Sequence, residues 1–312
     1  MGAAENRKIP IICGPTGAGK TGVAVRLAEE FPVEIVSADS RQIIRHLEIG
    51  TAKPTSEERA QVPFHLIDII EPGERYSAFR FLEDADRCVG EILGRKNIPL
   101  VVGGTGLYLR ALSEGVIEID SDREDIRKKL EGEMERLGPE AMHRRLNEID
   151  PEEAARVHPN NKVRVMRGLE IFELTGKTKS ALAASGTYKR SSYFFDFFCL
   201  APPRTRLYET IDARVDRMMS EGLLSEIDTL VRSGLAEQIR RANVIGYAEL
   251  LEYLEDRCTL EEAVAAVKQN SRRYAKRQMT WFRHQADCRF FETSGEILAA
   301  LEGFLSKSWR KR

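Results

Sequence analysis

The chain has no excess charge of either sign: 48 Lys and Arg stand against 49 Asp and Glu, leaving a net charge of −1 over 312 residues. No global positive field therefore draws in a polyanion, and any nucleic-acid surface must be a local basic patch. Long apolar runs are also missing. None approaches the roughly 18 residues that a membrane span requires, and the opening residues MGAAENRKIPIICG hold no apolar signal core before the first strand-like run. Cysteine is scarce and unpatterned. Cys13, Cys88, Cys199, Cys258 and Cys288 are odd in number and include no CxxC pair, which argues against a zinc site or a disulfide framework and favours a reducing, cytoplasmic setting. His46, His65, His143, His158 and His284 show no metal-ligand spacing. No internal repeat is visible. What remains, 42% hydrophobic and 31% charged residues, is the composition of a soluble globular protein with one large or two small domains.

What is present is an alternation. Ile9–Cys13 is a short apolar run that ends at a glycine and precedes a helical pattern over Lys20–Glu30. Val33–Ser37, Phe64–Ile70 and Ile98–Val102 read as further strands, with a helix over Ala78–Leu93 before the last of them. Strands alternating with helices imply an α/β fold, a parallel sheet covered on both faces with ligands at the carboxyl ends of its strands. Gly14–Thr21, Ala38–Gln42 and Gly103–Gly106 each follow a predicted strand end and are expected to converge on one site. From Asp120 to about Ser185 the text is helical and highly charged, and Tyr193–Leu200 returns to strand character. The reading is a discontinuous catalytic core, 1–113 with 193–312, interrupted by an all-helical insertion domain over 114–192. Long helices are expected over Asp212–Val231 and Thr259–Gln285, and a last strand over Arg289–Glu292. The tail with Lys307, Arg310, Lys311 and Arg312 is expected to fray.

One motif is specific. Gly14, Pro15, Thr16, Gly17, Ala18, Gly19, Lys20 and Thr21 fit GxxxxGK[ST] at every fixed position. Its glycines let successive N–H groups turn inward on phosphate oxygens, and the following helix adds its positive end. Lys20 supplies a point charge and Thr21 a hydroxyl for Mg²⁺. The usual companions of nucleotide hydrolysis are weak. Asn161-Lys162-Val163-Arg164 fails as a guanine motif at its last position, and the apolar runs ending at Asp39 and Asp68 are imperfect Walker B candidates. The mismatch points to a diphosphate ligand other than ATP.

Several segments, in order and spanning residues 14 to 283, resemble the tRNA dimethylallyltransferase family (isopentenyl-diphosphate:tRNA transferases). They are the phosphate loop, Ser37-Ala38-Asp39-Ser40-Arg41-Gln42, Gly50-Thr51-Ala52-Lys53-Pro54 and Val102-Gly103-Gly104-Thr105-Gly106-Leu107-Tyr108. His158-Pro159-Asn160-Asn161, Ile245-Gly246-Tyr247 and Ala275-Lys276-Arg277-Gln278-Met279-Thr280-Trp281-Phe282-Arg283 complete the set. Ile44, Phe64 and Gly168 depart from the family's pattern, where tyrosine, histidine and alanine are usual. No zinc finger of the eukaryotic type follows, which points to a bacterial-type enzyme.

The resemblance implies a P-loop NTPase-like sheet that transfers a dimethylallyl group from dimethylallyl diphosphate to the N6 amine of adenosine 37, beside the anticodon, in tRNAs reading codons that begin with U. It implies a diphosphate held by residues 14–21 and by Arg214, with Mg²⁺ at Thr21. The amine is a poor nucleophile because its lone pair is delocalised, so a base that takes its proton helps by roughly 10²–10⁴-fold. Asp39 is the candidate base; an outer Mg²⁺ ligand and a helix N-cap are its alternative roles. Lys20 would stabilise the leaving group, and Thr105 would hold the adenine or the aspartate. Asp39, Ser40, Arg41 and Gln42 would read the extruded base.

For the RNA itself, Arg272, Arg273, Lys276, Arg277 and Arg283 cluster within twelve residues. Thr280 lies on the same helix, and Trp281 and Phe282 bring aromatic surface. Gln278, Arg164, Arg167, Gly246 and Tyr247 match family segments that contact tRNA. The anticodon stem-loop and the prenyl diphosphate are the expected partners, with no obligate protein partner and a monomeric state. Small-molecule phosphotransfer, prenyl transfer to free AMP and a non-catalytic RNA-binding module are the competing readings.

Overall fold

The computed structural model describes residues 7–117, 124–185 and 188–309. Arg310, Lys311 and Arg312, and the start of the charged stretch at Asp120, lie outside the described residues. Two compact units divide the chain, one drawn from residues up to Glu114 and from Ser191 onward, the other from Gly115 to Arg190.

The first unit begins β1 (Lys8–Cys13), α1 (Lys20–Ala28), β2 (Val33–Ser37), α2 (Ser56–Gln61), β3 (Phe64–His65), α3 (Ala78–Gly94), β4 (Ile98–Gly103), α4 (Gly106–Glu114). The second unit holds β5 (Val116–Ile117), α5 (Glu124–Leu137), α6 (Pro139–Ile149), α7 (Pro151–Ala155), α8 (Lys162–Thr175), α9 (Lys179–Ala184) and β6 (Tyr188–Lys189). The first unit then resumes with β7 (Phe194–Leu200), α10 (Arg204–Ser220), α11 (Leu223–Arg232), α12 (Ala236–Ala242), α13 (Tyr247–Leu254), α14 (Leu260–Gln285), β8 (Cys288–Phe291) and α15 (Ser294–Ser308).

The first unit is built on a six-stranded sheet in the order β3-β2-β4-β1-β7-β8, every pair of it parallel. β1 and β4 are apolar almost throughout, and they and β2 are buried along nearly their whole length, as strands covered on both faces must be. One core cluster packs α1 and α15 on the sheet, joining Val23 and Leu27 to Ile297, Leu301 and Leu305. A second unites α10, α11, α13 and α14 with the loop after β2 through Val215, Ile227, Tyr247, Val267 and Ile43. Because β4 inserts between β1 and β2, the turns that leave all three strands lie side by side.

Two expected elements differ. The strand over Phe64–Ile70 stops at His65, because Leu66 and Asp68 take φ of 60° and 57°, incompatible with extended backbone. Only an isolated bridge from Ile44 to Ile70 continues it. The helix over Asp212–Val231 is two helices, broken where Gly222 adopts φ +100° as the cap of α11.

The second unit is helical apart from the antiparallel pair β5–β6. Leu130, Met142, Leu146, Val165 and Leu169 form its own core. Buried Asp150 accepts the N–H groups of Glu153 and Ser180, which caps α7 and ties α9 to it. No helix among the described residues is long and apolar enough to cross a membrane.

Candidate active site

The site is assembled from three turns and three helices of the first unit. The phosphate loop leaves β1 with Gly14, Gly17 and Gly19 at φ +140°, +79° and +92°. A Cβ on Gly14 would stand 2.3 Å from the Leu200 carbonyl oxygen, and one on Gly17 2.7 Å from Ile211. Only glycine allows both this curl and this approach. The N–H groups of Gly17, Gly19, Lys20 and Thr21 have no acceptor among the described residues. They mark an anion cradle at the start of α1.

Lys20 folds back over this loop. Its Nζ donates to the carbonyls of Gly14 at 3.0 Å and Pro15 at 2.8 Å. Burial lowers its pKa to about 8, against the opposing pull of the Asp39 charge. Arg214, on α10, donates to the Thr16 hydroxyl at 3.3 Å and is also pushed down by burial. Neither cation has a carboxylate within ion-pair distance among the described residues.

The second turn carries Asp39. Its Oδ1 accepts the N–H of Arg41 at 2.8 Å and, more weakly, of Gln42 at 3.4 Å. These bonds orient the carboxylate as a local turn cap rather than a helix N-cap. Its second oxygen has no hydrogen-bond partner among the described residues. The third turn carries Thr105, whose hydroxyl accepts the Ser40 N–H at 2.9 Å, while its own N–H donates to the Ala38 carbonyl at 3.2 Å. Thr105 thus fastens the Asp39 turn to the glycine turn after β4.

Between these turns and α10, α13 and α14 lies a cavity of about 1050 Å³. Thr16, Lys20, Thr21, Asp39 and Arg214 line one part of it, and Ile211, Val215, Met218, Val244 and Val267 add apolar wall. Tyr274 of α14, not singled out by the sequence reading, also lines it. Burial and the Asp39 charge push the Tyr274 phenol up to about 12. Its sequence signal was available: it precedes Gln278 by one helical turn and shares its face.

The remaining expected site residues divide. Gln42 lines the cavity, but its amide is engaged by Ser37 at 3.1 Å and by the Ala52 carbonyl at 2.9 Å. Arg41 donates to the Ala242 carbonyl at 2.9 Å. Gly246 lines the cavity at φ +96°.

Tyr247, expected at the RNA, is fully buried; its hydroxyl receives the Gly50 N–H at 3.2 Å and donates to Glu226. Glu226 in turn accepts the N–H groups of Glu48 and Ile49, so this network anchors the Gly50–Pro54 loop rather than offering a surface. Phe282 is likewise buried. Gln278 is buried at 7% exposure and faces the glycine turns instead of solvent. Trp281 packs on Gly106, where a Cβ would meet its ring at 2.5 Å.

On the outer side of α14, Arg272 is held by Asp212, but Arg273, Lys276, Thr280 and Arg283 are exposed; Arg277, also exposed, lies over the Tyr274 ring at the cavity edge. None of these four cations is ion-paired to a carboxylate among the described residues. Arg164 and Arg167 belong to α8 of the second unit; Arg167 is ion-paired with Glu170 at 2.7 Å.

A parallel sheet whose first strand opens into a GPTGAGKT loop, with an acidic turn and a glycine turn beside it, defines a P-loop-type α/β core. The IPP transferase family profile matches residues 42–285, and that of the isopentenyl transferases matches residues 7–63. The tRNA dimethylallyltransferase 1 of Syntrophotalea carbinolica is 43% identical over 94% of both chains, and the tRNA dimethylallyltransferase of Geobacter metallireducens is 41% identical over 96% of this chain and 98% of that one. Among solved structures, the tRNA isopentenylpyrophosphate transferase of Bacillus halodurans is 40% identical, with a TM-score of 0.67 over 97% of this chain and 98% of that one. A eukaryotic dimethylallyltransferase described as acting on tRNA superposes with a TM-score of 0.78 at 29% identity, over 98% of this chain and 81% of that one. The chain belongs to the tRNA dimethylallyltransferase (IPP transferase) family, the family its motifs resemble.

Proposed function

We propose that the protein transfers a dimethylallyl group from dimethylallyl diphosphate to the N6 amine of the adenosine 3′ to the anticodon, position 37, of tRNAs reading codons that begin with U. The observation that carries this reading is the pairing, in one cavity, of an anion cradle having two half-buried cations free of carboxylates with an oriented carboxylate, Asp39. That arrangement holds a diphosphate and leaves a base beside it. The family's name supplies the transferred group and the acceptor.

In this reading the loop N–H groups, Lys20 and Arg214 bind the diphosphate and stabilise the charge that collects on it as the allylic carbon–oxygen bond breaks. For this, Lys20 swings from the Gly14 and Pro15 carbonyls to the phosphate. The apolar wall excludes water from the five-carbon chain. The adenine N6 lone pair forms the new carbon–nitrogen bond, and its proton passes to the free oxygen of Asp39. Thr105, bonded to Ser40, holds the carboxylate's turn in place. A Mg²⁺ ion would be held here through few protein ligands, chiefly the Thr21 hydroxyl, which lines the cavity and has no hydrogen-bond partner among the described residues. When bound, the ion would neutralise part of the diphosphate charge. The exposed cations of α14, together with Arg164 and Arg167, would contact the anticodon stem-loop, and a cytoplasmic monomer would suffice for the reaction.

The test is to incubate the protein with Mg²⁺, dimethylallyl diphosphate and unmodified tRNA, digest the RNA and weigh its nucleosides. The expected result is one added C5H8 on adenosine, absent with free AMP and reduced by roughly 10²-fold or more in Asp39→Ala. Prenylated AMP would reassign the acceptor. A folded protein that binds tRNA and yields no prenyl product would defeat the proposal.

A further inference from the structure

Gln278 occupies an unusual place. It sits on α14 between exposed Arg277 and half-buried Met279, yet its own amide is buried. Its Oε1 accepts the Thr16 N–H at 2.8 Å, and its Nε2 donates to the Gly104 carbonyl at 2.8 Å. The two partners fix the amide's orientation, since one only donates and the other only accepts. A Cβ on Gly104 would lie 2.4 Å from Nε2, so the glycine turn is shaped to receive this group. Thr16, held at its N–H by Gln278, meets Arg214 through its hydroxyl. One turn further along α14, Trp281 rests on Gly106. A single stretch of helix therefore grips the phosphate loop and the second glycine turn with one face, while Lys276 stands exposed on the other and Arg277, over the Tyr274 ring, stands at the cavity edge between them.

We propose that Gln278 is a positioning residue that couples RNA contact on the outer face of α14 to diphosphate binding at the phosphate loop. The proposal rests on the function proposed above. Packed elements do not deform continuously, so a displacement of α14 by RNA moves the Thr16 N–H and the loop with it. Linkage requires the effect to be reciprocal: RNA changes the affinity for diphosphate by the factor by which diphosphate changes the affinity for RNA.

Calorimetric titration of inorganic diphosphate with Mg²⁺, with and without saturating anticodon stem-loop RNA, reads this factor directly. In the wild-type protein it should be about 5- to 50-fold. In Gln278→Met, which fills the space without either hydrogen bond, it should fall to within about twofold of unity, with RNA affinity little changed and thermal melting lowered because the Thr16 N–H and the Gly104 carbonyl lose their partner. Gly104→Ala, which displaces the amide while leaving Gln278 in the chain, should do the same and stands in if the first variant does not fold. Gln278→Glu retains an acceptor for Thr16 but sets a carboxylate against the Gly104 carbonyl, and should weaken diphosphate binding even without RNA. A wild-type factor near unity, or coupling that survives in both Gln278→Met and Gly104→Ala, would overturn the proposal. Failure of the wild-type protein to bind diphosphate or RNA at all would instead overturn the proposed function and this inference with it.

Discussion

Lys20 and Arg214 are both half-buried in the cavity wall and neither is matched by a carboxylate, an arrangement that costs stability unless an anion completes it. That cost shows in Lys20, where desolvation lowers the ammonium from its usual 10.5 to about 8. The sign of the pH effect follows. Below about 8 the ammonium is present to receive a diphosphate; above it, the free site presents a neutral amine. The kcat/KM for dimethylallyl diphosphate should therefore fall by up to roughly tenfold per pH unit above that value. Lys20→Met should lower kcat/KM throughout and remove the decline. A wild-type profile flat from pH 7 to 10 would mean that this proton is not used.

The phosphate loop was readable because backbone at positive φ demands glycines at set spacing, and that demand is written locally. Arg214 was reached only through the resemblance, since its contact with Thr16 spans 198 residues. Tyr247 and Gln278 were misplaced for a related reason. Their motifs mark them as special, but nothing local states that a polar side chain turns inward to a distant partner.

Among the elements, α14 does two tasks at once. Its inner face supplies Gln278 and Trp281 to the glycine turns and Tyr274, with Arg277 over its ring, to the cavity, and its outer face offers Arg273, Lys276 and Arg283. The chain's near-neutral charge makes such a local surface necessary if it binds RNA. Arg272, grouped with these cations in the sequence reading, is instead bound to Asp212 of α10. Lys276→Ala and Arg283→Ala should each weaken RNA binding across sequences. Each should also reduce the slope of log K against log salt by about 0.7–1, the signature of one lost phosphate contact. Arg272→Ala should leave that slope unchanged. Equal slopes for all three would remove the face from the RNA interface. The pattern of α14 was plain in the sequence, with its Thr259 and Glu262 capping box at the start. The break at Gly222 was not, because an apolar period continues across it and only the backbone angle interrupts the helix.

On the scale of the whole sheet, chemistry and stability are placed at opposite ends of the strands. β2 leads at its carboxyl end to Asp39, and near its amino end holds buried Glu34. Glu34 accepts a two-point contact from Arg95 at 3.0 and 2.8 Å, a bond from Asn97 at 2.7 Å, and lies 2.7 Å from His65. It thereby ties β2 to the segment entering β4 and to β3. Chiefly through Arg95, and despite burial, these contacts hold its carboxyl down from 4.5 to about 2. A depressed folded pKa stabilises the protein fully above the unfolded value, and that contribution is lost as pH falls through the folded one. Stability from Glu34 should thus be complete above about pH 4.5 and drain away toward pH 2. Its magnitude is about 2 kcal/mol, after allowance for the solvent around half-exposed Arg95. Urea unfolding of the wild-type protein and Glu34→Gln should differ by that amount at pH 7, and the gap should narrow steadily below pH 4.5. Prenyl transfer at neutral pH should be nearly unaffected where the variant is folded, since no group of this network lines the cavity. A stability gap that stays constant from pH 7 to 3 would show that Glu34 acts through shape rather than charge. A variant as stable as wild type but inactive would contradict the separation of the two ends.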